Sequence, residues 1–355
     1  MSTFVSKQTS KQACLLLAAL AAHLPVIAAP AVTFSPTGVA HIVDLTVPIP
    51  TTISAPAQQM LRKAAAAGDP TRGLTASLTE LRAGSAAGQA KSTEALLAKH
   101  PSTIKKSTMA GVPVALVTPA KLAANATGKL LINVHGGAFF LGQGSITEAI
   151  PIAARTGIPV LAIDYRLAPE HPFPAAVDDT VAVYRELLKS YQPERMALYG
   201  SSAGAVLSAQ ALVRARQLKL PLPAAVGFFS GTADFARAAD SEAFFTLGGL
   251  GALVTPVATQ AKGYLASNDL RDPVMSPAYA DLKGFPPTLL MAGTRDFFLG
   301  GTTNFHRALL KEKVPAQLVI FDAMPHVHWG DPSLPETDEA LDIQAAFLAE
   351  QVAER

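Results

Sequence analysis

Beyond residue 101 the chain repeats one pattern: a short, unbroken apolar run, a breaker, then a stretch of helical character. The runs cover residues 114–117, 130–134, 160–163, 196–199, 224–229, 288–292 and 318–321. Each is four to six residues long and does not alternate with polar residues. That fits strands covered on both faces, as in a mainly parallel sheet between helix layers. The helical stretches between them, such as 203–218, predict a doubly wound α/β architecture. Residues 54–100 read differently, being rich in Ala, Gln, Lys and Leu. Ser54 can cap a helix with Pro56 in its first turn and 57–67 as its body, ended by Gly68-Asp69-Pro70. A second, short helix is expected over 93–99, stopped by Pro101. No internal repeat is visible. The glycine-rich stretch 247–252 follows no strand and is followed by no suitably placed acid, so it reads as a loop and not as a dinucleotide site.

Composition sharpens this picture. The chain has 355 residues, 49% hydrophobic and 16% charged, with a net charge of +2. That is room for one large α/β domain with a lid, or for two modest domains. No Lys/Arg cluster is long enough for a nucleic-acid surface. At the N-terminus, Lys7 and Lys11 precede an apolar core over 13–24, and small residues follow at Ala28, Ala29 and Ala31. This is the layout of a secretory signal over 1–31, with cleavage after Ala28, Ala29 or Ala31, and it predicts a periplasmic or secreted protein. The bland alternative is an N-terminal helix packed on the lid. The apolar core is too short for a stable membrane span, which needs about 20 residues. The only cysteine, Cys14, lies inside it. The mature chain then has no disulfide, no thiol nucleophile and no cysteine metal site.

Candidate chemistry gathers at the ends of the predicted strands. Gly200-x-Ser202-x-Gly204 joins a strand to a helix, where glycines permit the sharp turn that exposes the serine. The helix start adds unpaired N–H groups at the same place. Alone the motif is weak, because it occurs by chance about once per ten chains of this length. A second element, His135-Gly136-Gly137-Ala138-Phe139, follows the 130–134 strand. Backbone N–H groups of Gly136, Gly137 and Ala203 can face a carbonyl oxygen that becomes negative. A base is offered by His326, after the last strand, and an acid by Asp296, after the preceding one. The order Ser202, Asp296, His326 is that of an α/β-hydrolase triad. His328 and Asp322 are rivals. His326 is preferred for its place after Met324-Pro325, and Asp322 is too close to His326 to close a triad from the same loop.

These residues resemble the hormone-sensitive-lipase-like branch of the α/β-hydrolases, a family of bacterial carboxylesterases. The likeness is carried by His135-Gly-Gly-Ala-Phe139, the long segment from Asp164-Tyr-Arg to Val177-Asp-Asp179, Gly200-Ser-Ser-Ala-Gly204, Ala292-Gly-Thr-Arg-Asp296 and Met324-Pro-His326. It implies an α/β-hydrolase fold over 101–355, with a mostly parallel sheet and a helical cap built from 32–100 and from about 235–270. It implies hydrolysis of short-chain carboxylic esters through an acyl-enzyme, with no metal or organic cofactor and a small-molecule ester as partner. Tyr165, Arg166 and Asp179 are expected to support the loops around the elbow. The family often pairs through its last strand and helix, so a homodimer stays open. The chain departs from the family pattern at Ala138, Ser201, Ala205, Gly300 and His328. Lactonase or aryl-ester activity on the same triad, a less favoured amidase or peptidase, and a non-catalytic small-molecule-binding protein are the alternatives.

Overall fold

A computed structural model describes residues 31–36, 40–43, 47–66, 76–242 and 263–352. All but the last residue of the expected signal over 1–31, with Cys14, the 68–70 breaker, the 247–252 loop and most of the second cap segment lie outside those residues. Two units are distinguished, up to Ile49 and from Pro50 onward. The first contributes an antiparallel hairpin, β1 (Ala31–Phe34) against β2 (Ala40–Val43), with Ala31 opposite Val43 and Phe34 opposite Ala40. The start of the 32–100 segment is therefore extended and not helical.

The second unit begins with helix α1 (Ala55–Ala66). Ser54 Oγ accepts the Ala57 N–H at 3.2 Å and donates to Glu336 Oε2 at 2.9 Å, so one side chain caps α1 and ties it to the C-terminal helix. Helix α2 (Leu78–Lys99) corrects the expectation of a short helix over 93–99, because it runs 22 residues. A capping box between Ser77 and Glu80 starts it. Gly84 and Gly88 lie inside it, where helix propensity argues against continuation. Its tertiary contacts override that local preference.

The main sheet has the order β10-β9-β8-β7-β5-β6-β4-β3. Its strands are β3 (Ser102–Met109), β4 (Val112–Pro119), β5 (Leu130–Val134), β6 (Val160–Ile163), β7 (Met196–Ser201), β8 (Ala225–Phe229), β9 (Thr288–Arg295) and β10 (Ala316–Pro325). Only β3·β4 and β4·β6 pair antiparallel. β5 to β8 are buried at every position, as the unbroken apolar runs predict. β3 was not legible as a strand: its sequence STIKKSTM is mostly exposed.

The crossovers are α3 (Ala149–Thr156), α4 (Ala175–Leu187), α5 (Ala203–Gln217) and α6 (Leu299–Lys311), with α7 (Pro335–Gln351) closing the chain. From β5 the chain steps one way to β6, and from β6 it steps back past β5 to β7 and onward. Right-handed crossovers then place α3 on one face and α4, α5 and α6 on the other. The reversal puts the C-terminal ends of β5 and β7 side by side, the place where open α/β sheets form their crevice.

Candidate active site

The elbow is built by close packing. Ser202 joins β7 to α5 with φ 58° and ψ −123°, a left-handed conformation that costs a non-glycine residue energy. A Cβ on either Gly200 or Gly204 would collide with the carbonyl oxygen of Val134. Both glycines are thus required by the approach of the elbow to β5. The Ser202 N–H donates to the Phe229 carbonyl at 2.9 Å, fixing the turn to the end of β8.

The structure brings Ser202, His326 and Asp296 together. His326 Nε2 lies 2.9 Å from Ser202 Oγ, and His326 Nδ1 lies 3.0 Å from Asp296 Oδ1. With Asp296 ionised, Nδ1 carries the hydrogen and Nε2 is left to accept from the serine. Asp296 has no exposed surface. Burial pushes its carboxyl pKa up, but the His326 charge and hydrogen bonds from His326, Ser230 and the Phe298 N–H outweigh this and leave it below the ordinary value. The imidazole packs against Phe297 and Phe298, with ring centroids 4.3 and 5.6 Å away. The rivals do not reach the serine. Asp322 bonds Thr52 and Thr294, and His328 is buried between Phe321 and Trp329.

The glycine loop after β5 departs from expectation at one position. Gly136 lines the cavity, but its N–H donates to Glu148 Oε1 at 3.0 Å and is already committed. Gly137, Ala138 and Ala203 line the cavity, and no hydrogen bond to their N–H groups is found among the described residues. Gly137 has φ 119°, a region closed to side chains.

Glu148 was not singled out from the sequence, and nothing in the loop over 140–148 marks it. Burial raises its pKa, opposed by bonds from Gly136, Ser201 and Asn133. Trp329 Nε1 in turn donates to Ser201 Oγ at 3.0 Å. Glu148, Ser201 and Trp329 therefore connect the glycine loop, the elbow and the segment after the histidine. Ser201 is the link between them, since its hydroxyl can accept from Trp329 while donating towards Glu148.

The long segment after β6 supports the same loops. Tyr165 donates its hydroxyl to the His135 carbonyl at 2.8 Å, and its ring stacks on His135 with centroids 4.2 Å apart. Arg166 and buried Asp179 form a multiply bonded pair, with contacts from 2.8 to 3.0 Å. Above the serine lies a cavity of about 470 Å³, walled by Phe140, Leu141, Val206, Phe297, Phe298 and Val327, and by Leu81, Ser85 and Gln89 of α2. Arg82 clasps α2 to the loop, donating to the Phe140 carbonyl at 3.0 Å, the Ala168 carbonyl at 2.8 Å and both Glu170 carboxylate oxygens at 2.7 Å. Among the described residues no helix is long and apolar enough to cross a membrane.

A parallel sheet with a serine elbow at its topological switch point defines an α/β-hydrolase. The family model described as an alpha/beta hydrolase fold matches residues 131–329, more than half of the chain. Among curated proteins, an acetyl-hydrolase of Streptomyces hygroscopicus is 38% identical over 227 residues, 62% of this chain and 75% of that protein. Among solved structures, esterase E25 superposes with a TM-score of 0.78 at 33% identity, covering 87% of this chain and 98% of its own. An esterase from the bacterial hormone-sensitive lipase family superposes with a TM-score of 0.72 at 31% identity, over 84% and 99% of the two chains. The chain belongs to the α/β-hydrolase family, in its hormone-sensitive-lipase-like branch.

Proposed function

We propose that this protein is a serine carboxylesterase that hydrolyses short-chain esters through an acyl-enzyme. The observation that carries the reading is the continuous hydrogen-bonded chain Ser202–His326–Asp296 opening into an apolar cavity. Ser202 Oγ attacks the ester carbonyl carbon while its proton passes to His326 Nε2. Asp296 holds the imidazole with hydrogen on Nδ1 and stabilises the imidazolium that forms. The carbonyl oxygen becomes anionic beside the N–H groups of Gly137 and Ala203. Ala138 adds a third donor in place of the committed Gly136. Removal of one such donor costs about 10²–10³ in rate. His326 then returns the proton to the departing alcohol oxygen. Water, deprotonated by the same nitrogen, releases the acid and restores Ser202.

The cavity is mostly apolar and needs no charge on the acyl or alcohol group. The name of the Streptomyces relative, an acetyl-hydrolase, supports a small acyl group. The N-terminal charge and apolar pattern support export to the periplasm or medium. The test is hydrolysis of p-nitrophenyl esters from acetate to laurate by the wild type and by Ser202→Ala. Activity should peak at short chains and vanish in the variant. Full activity in Ser202→Ala would overturn the assignment. A lactone hydrolysed when no acyl ester is would move the reading to a lactonase.

A further inference from the structure

Ser230 is the residue immediately after β8, where Gly231 follows it. It has no exposed surface. Its φ is 58°, in the left-handed region that disfavours a residue with a Cβ. Its N–H donates to the Met291 carbonyl at 2.7 Å, which pins the backbone between β8 and β9. The hydroxyl is thereby held against two members of the Ser202 chain at once. It hydrogen-bonds Asp296 Oδ2, and it lies 2.5 Å from His326 Nδ1.

A hydroxyl has one hydrogen and two lone pairs. An ionised carboxylate only accepts, so the Ser230 hydrogen points to Asp296 Oδ2. A lone pair of Ser230 Oγ is then left for the hydrogen on His326 Nδ1. That hydrogen is shared between Asp296 Oδ1 and Ser230 Oγ. The remaining Asp296 bond comes from the Phe298 N–H, at 2.9 Å to Oδ1. Ser230 is therefore the side chain that holds Oδ2 and completes the ring of contacts around Nδ1.

We propose that Ser230 is a positioning residue for His326 and Asp296, bridging the two through its hydroxyl so that the imidazole stays aligned with Ser202. The inference rests on the serine-esterase reading above. Its physical content is alignment: Ser230 touches no substrate, and the pair it bridges delivers the proton. When His326 becomes cationic in the transition state, Ser230 Oγ offers a second acceptor at Nδ1. The serine tolerates a backbone conformation suited to glycine, and both of its hydroxyl bonds depend on that conformation. A purely structural residue at this position, replaced by glycine that adopts the same φ freely, would change stability without moving the Nδ1–H resonance.

The experiment compares wild type, Ser230→Gly, Ser230→Cys and Ser202→Ala on p-nitrophenyl butyrate. It records kcat, KM, thermal midpoint and the low-field proton NMR signal of the His326 Nδ1–H. Ser230→Gly should fold with a midpoint lowered by about a few degrees, from the lost bond to buried Asp296 Oδ2, and keep KM within about twofold. Its kcat should fall about 10- to 100-fold, the scale of a misplaced reacting group. The Nδ1–H resonance should move. Ser230→Cys, with a weaker donor, should fall between the two; it carries the same comparison if the glycine variant does not fold. A kcat within twofold of wild type in a folded Ser230→Gly protein would overturn the proposal. So would a kcat loss matched by an equal rise in KM and a fall in midpoint with no change in the resonance. If Ser202→Ala keeps its activity, the serine-esterase reading fails first; if it is inactive and Ser230→Gly is not slowed, only the role of Ser230 fails.

Discussion

The two walls of the cavity are held by different physics. One wall is made by the ends of β5, β7, β9 and β10, whose backbones touch so closely that a methyl group is excluded. The other is α2, a 22-residue helix with no fully buried residue. It lies over the site through a polar clasp centred on Arg82. The first wall carries the Ser202–His326–Asp296 hydrogen-bonded chain and tolerates no displacement. The second shapes the entrance and is free to vary, because few apolar contacts depend on its side chains. Alignment of Ser202, His326 and Asp296 is therefore a product of the sheet, while α2 shapes only the cavity wall.

The largest effect should come from the first wall. Ser202→Ala should lower kcat by about 10⁴–10⁶ with little change in thermal midpoint. Next come the elbow glycines. Gly204→Ala would drive a Cβ into the Val134 carbonyl oxygen. It should destabilise the protein by about 3 kcal/mol or prevent folding, measured by urea unfolding. The same substitution on α2 should do the reverse. Among the described residues nothing lies within 4 Å of a Cβ built on Gly88, so Gly88→Ala should stabilise by about 0.5–1 kcal/mol through helix propensity. A Gly88→Ala protein less stable than wild type would remove the contrast between the walls.

The clasp gives a smaller, kinetic effect. Arg82→Met should raise KM about three- to tenfold for esters with longer acyl chains, because α2 lines their cavity. The thermal midpoint should shift only slightly, since part-exposed ion pairs contribute about 0–1 kcal/mol. An unchanged KM with a large fall in midpoint would make α2 a structural brace.

The most gradual effect is one of pH, spread over more than two pH units. Burial pushes the His328 pKa down to about 4, from an ordinary 6.5. The folded protein then resists a proton that the unfolded chain accepts. Above pH 6.5 the residue contributes nothing to pH dependence. Stability is lost as pH falls from about 6.5 to 4 and levels off below, by on the order of 3 kcal/mol in total. Among the described residues neither ring nitrogen of His328 has a well-formed hydrogen-bond partner. His328→Phe should therefore fold and flatten this acid limb, measured by denaturant melts between pH 4 and 7.

The sequence made the first wall far more legible than the second. Strands covered on both faces leave continuous apolar runs, so β5 to β8 were visible within a residue or two. Ser202, Asp296 and His326 could be picked out because each sits just beyond such a run, and the structure brings the three side chains together. Ser230 obeys the same rule, directly after the 224–229 run, but a lone serine before a glycine carries no motif. The commitment of the Gly136 N–H depends on Glu148, twelve residues away in a loop without periodicity. α2 was read as a fragment because Gly84 and Gly88 argue locally against a helix that its ends and its clasp sustain. β3 was missed because a solvent-facing edge strand has no need of an apolar face.

The most direct test is covalent. The protein should be incubated with a sulfonyl fluoride, and its intact mass and peptide map measured. One adduct per chain is predicted, on Ser202 and nowhere else, with activity lost in proportion to labelling. Labelling of another serine in step with inactivation, or complete inactivation with Ser202 unmodified, would contradict the account.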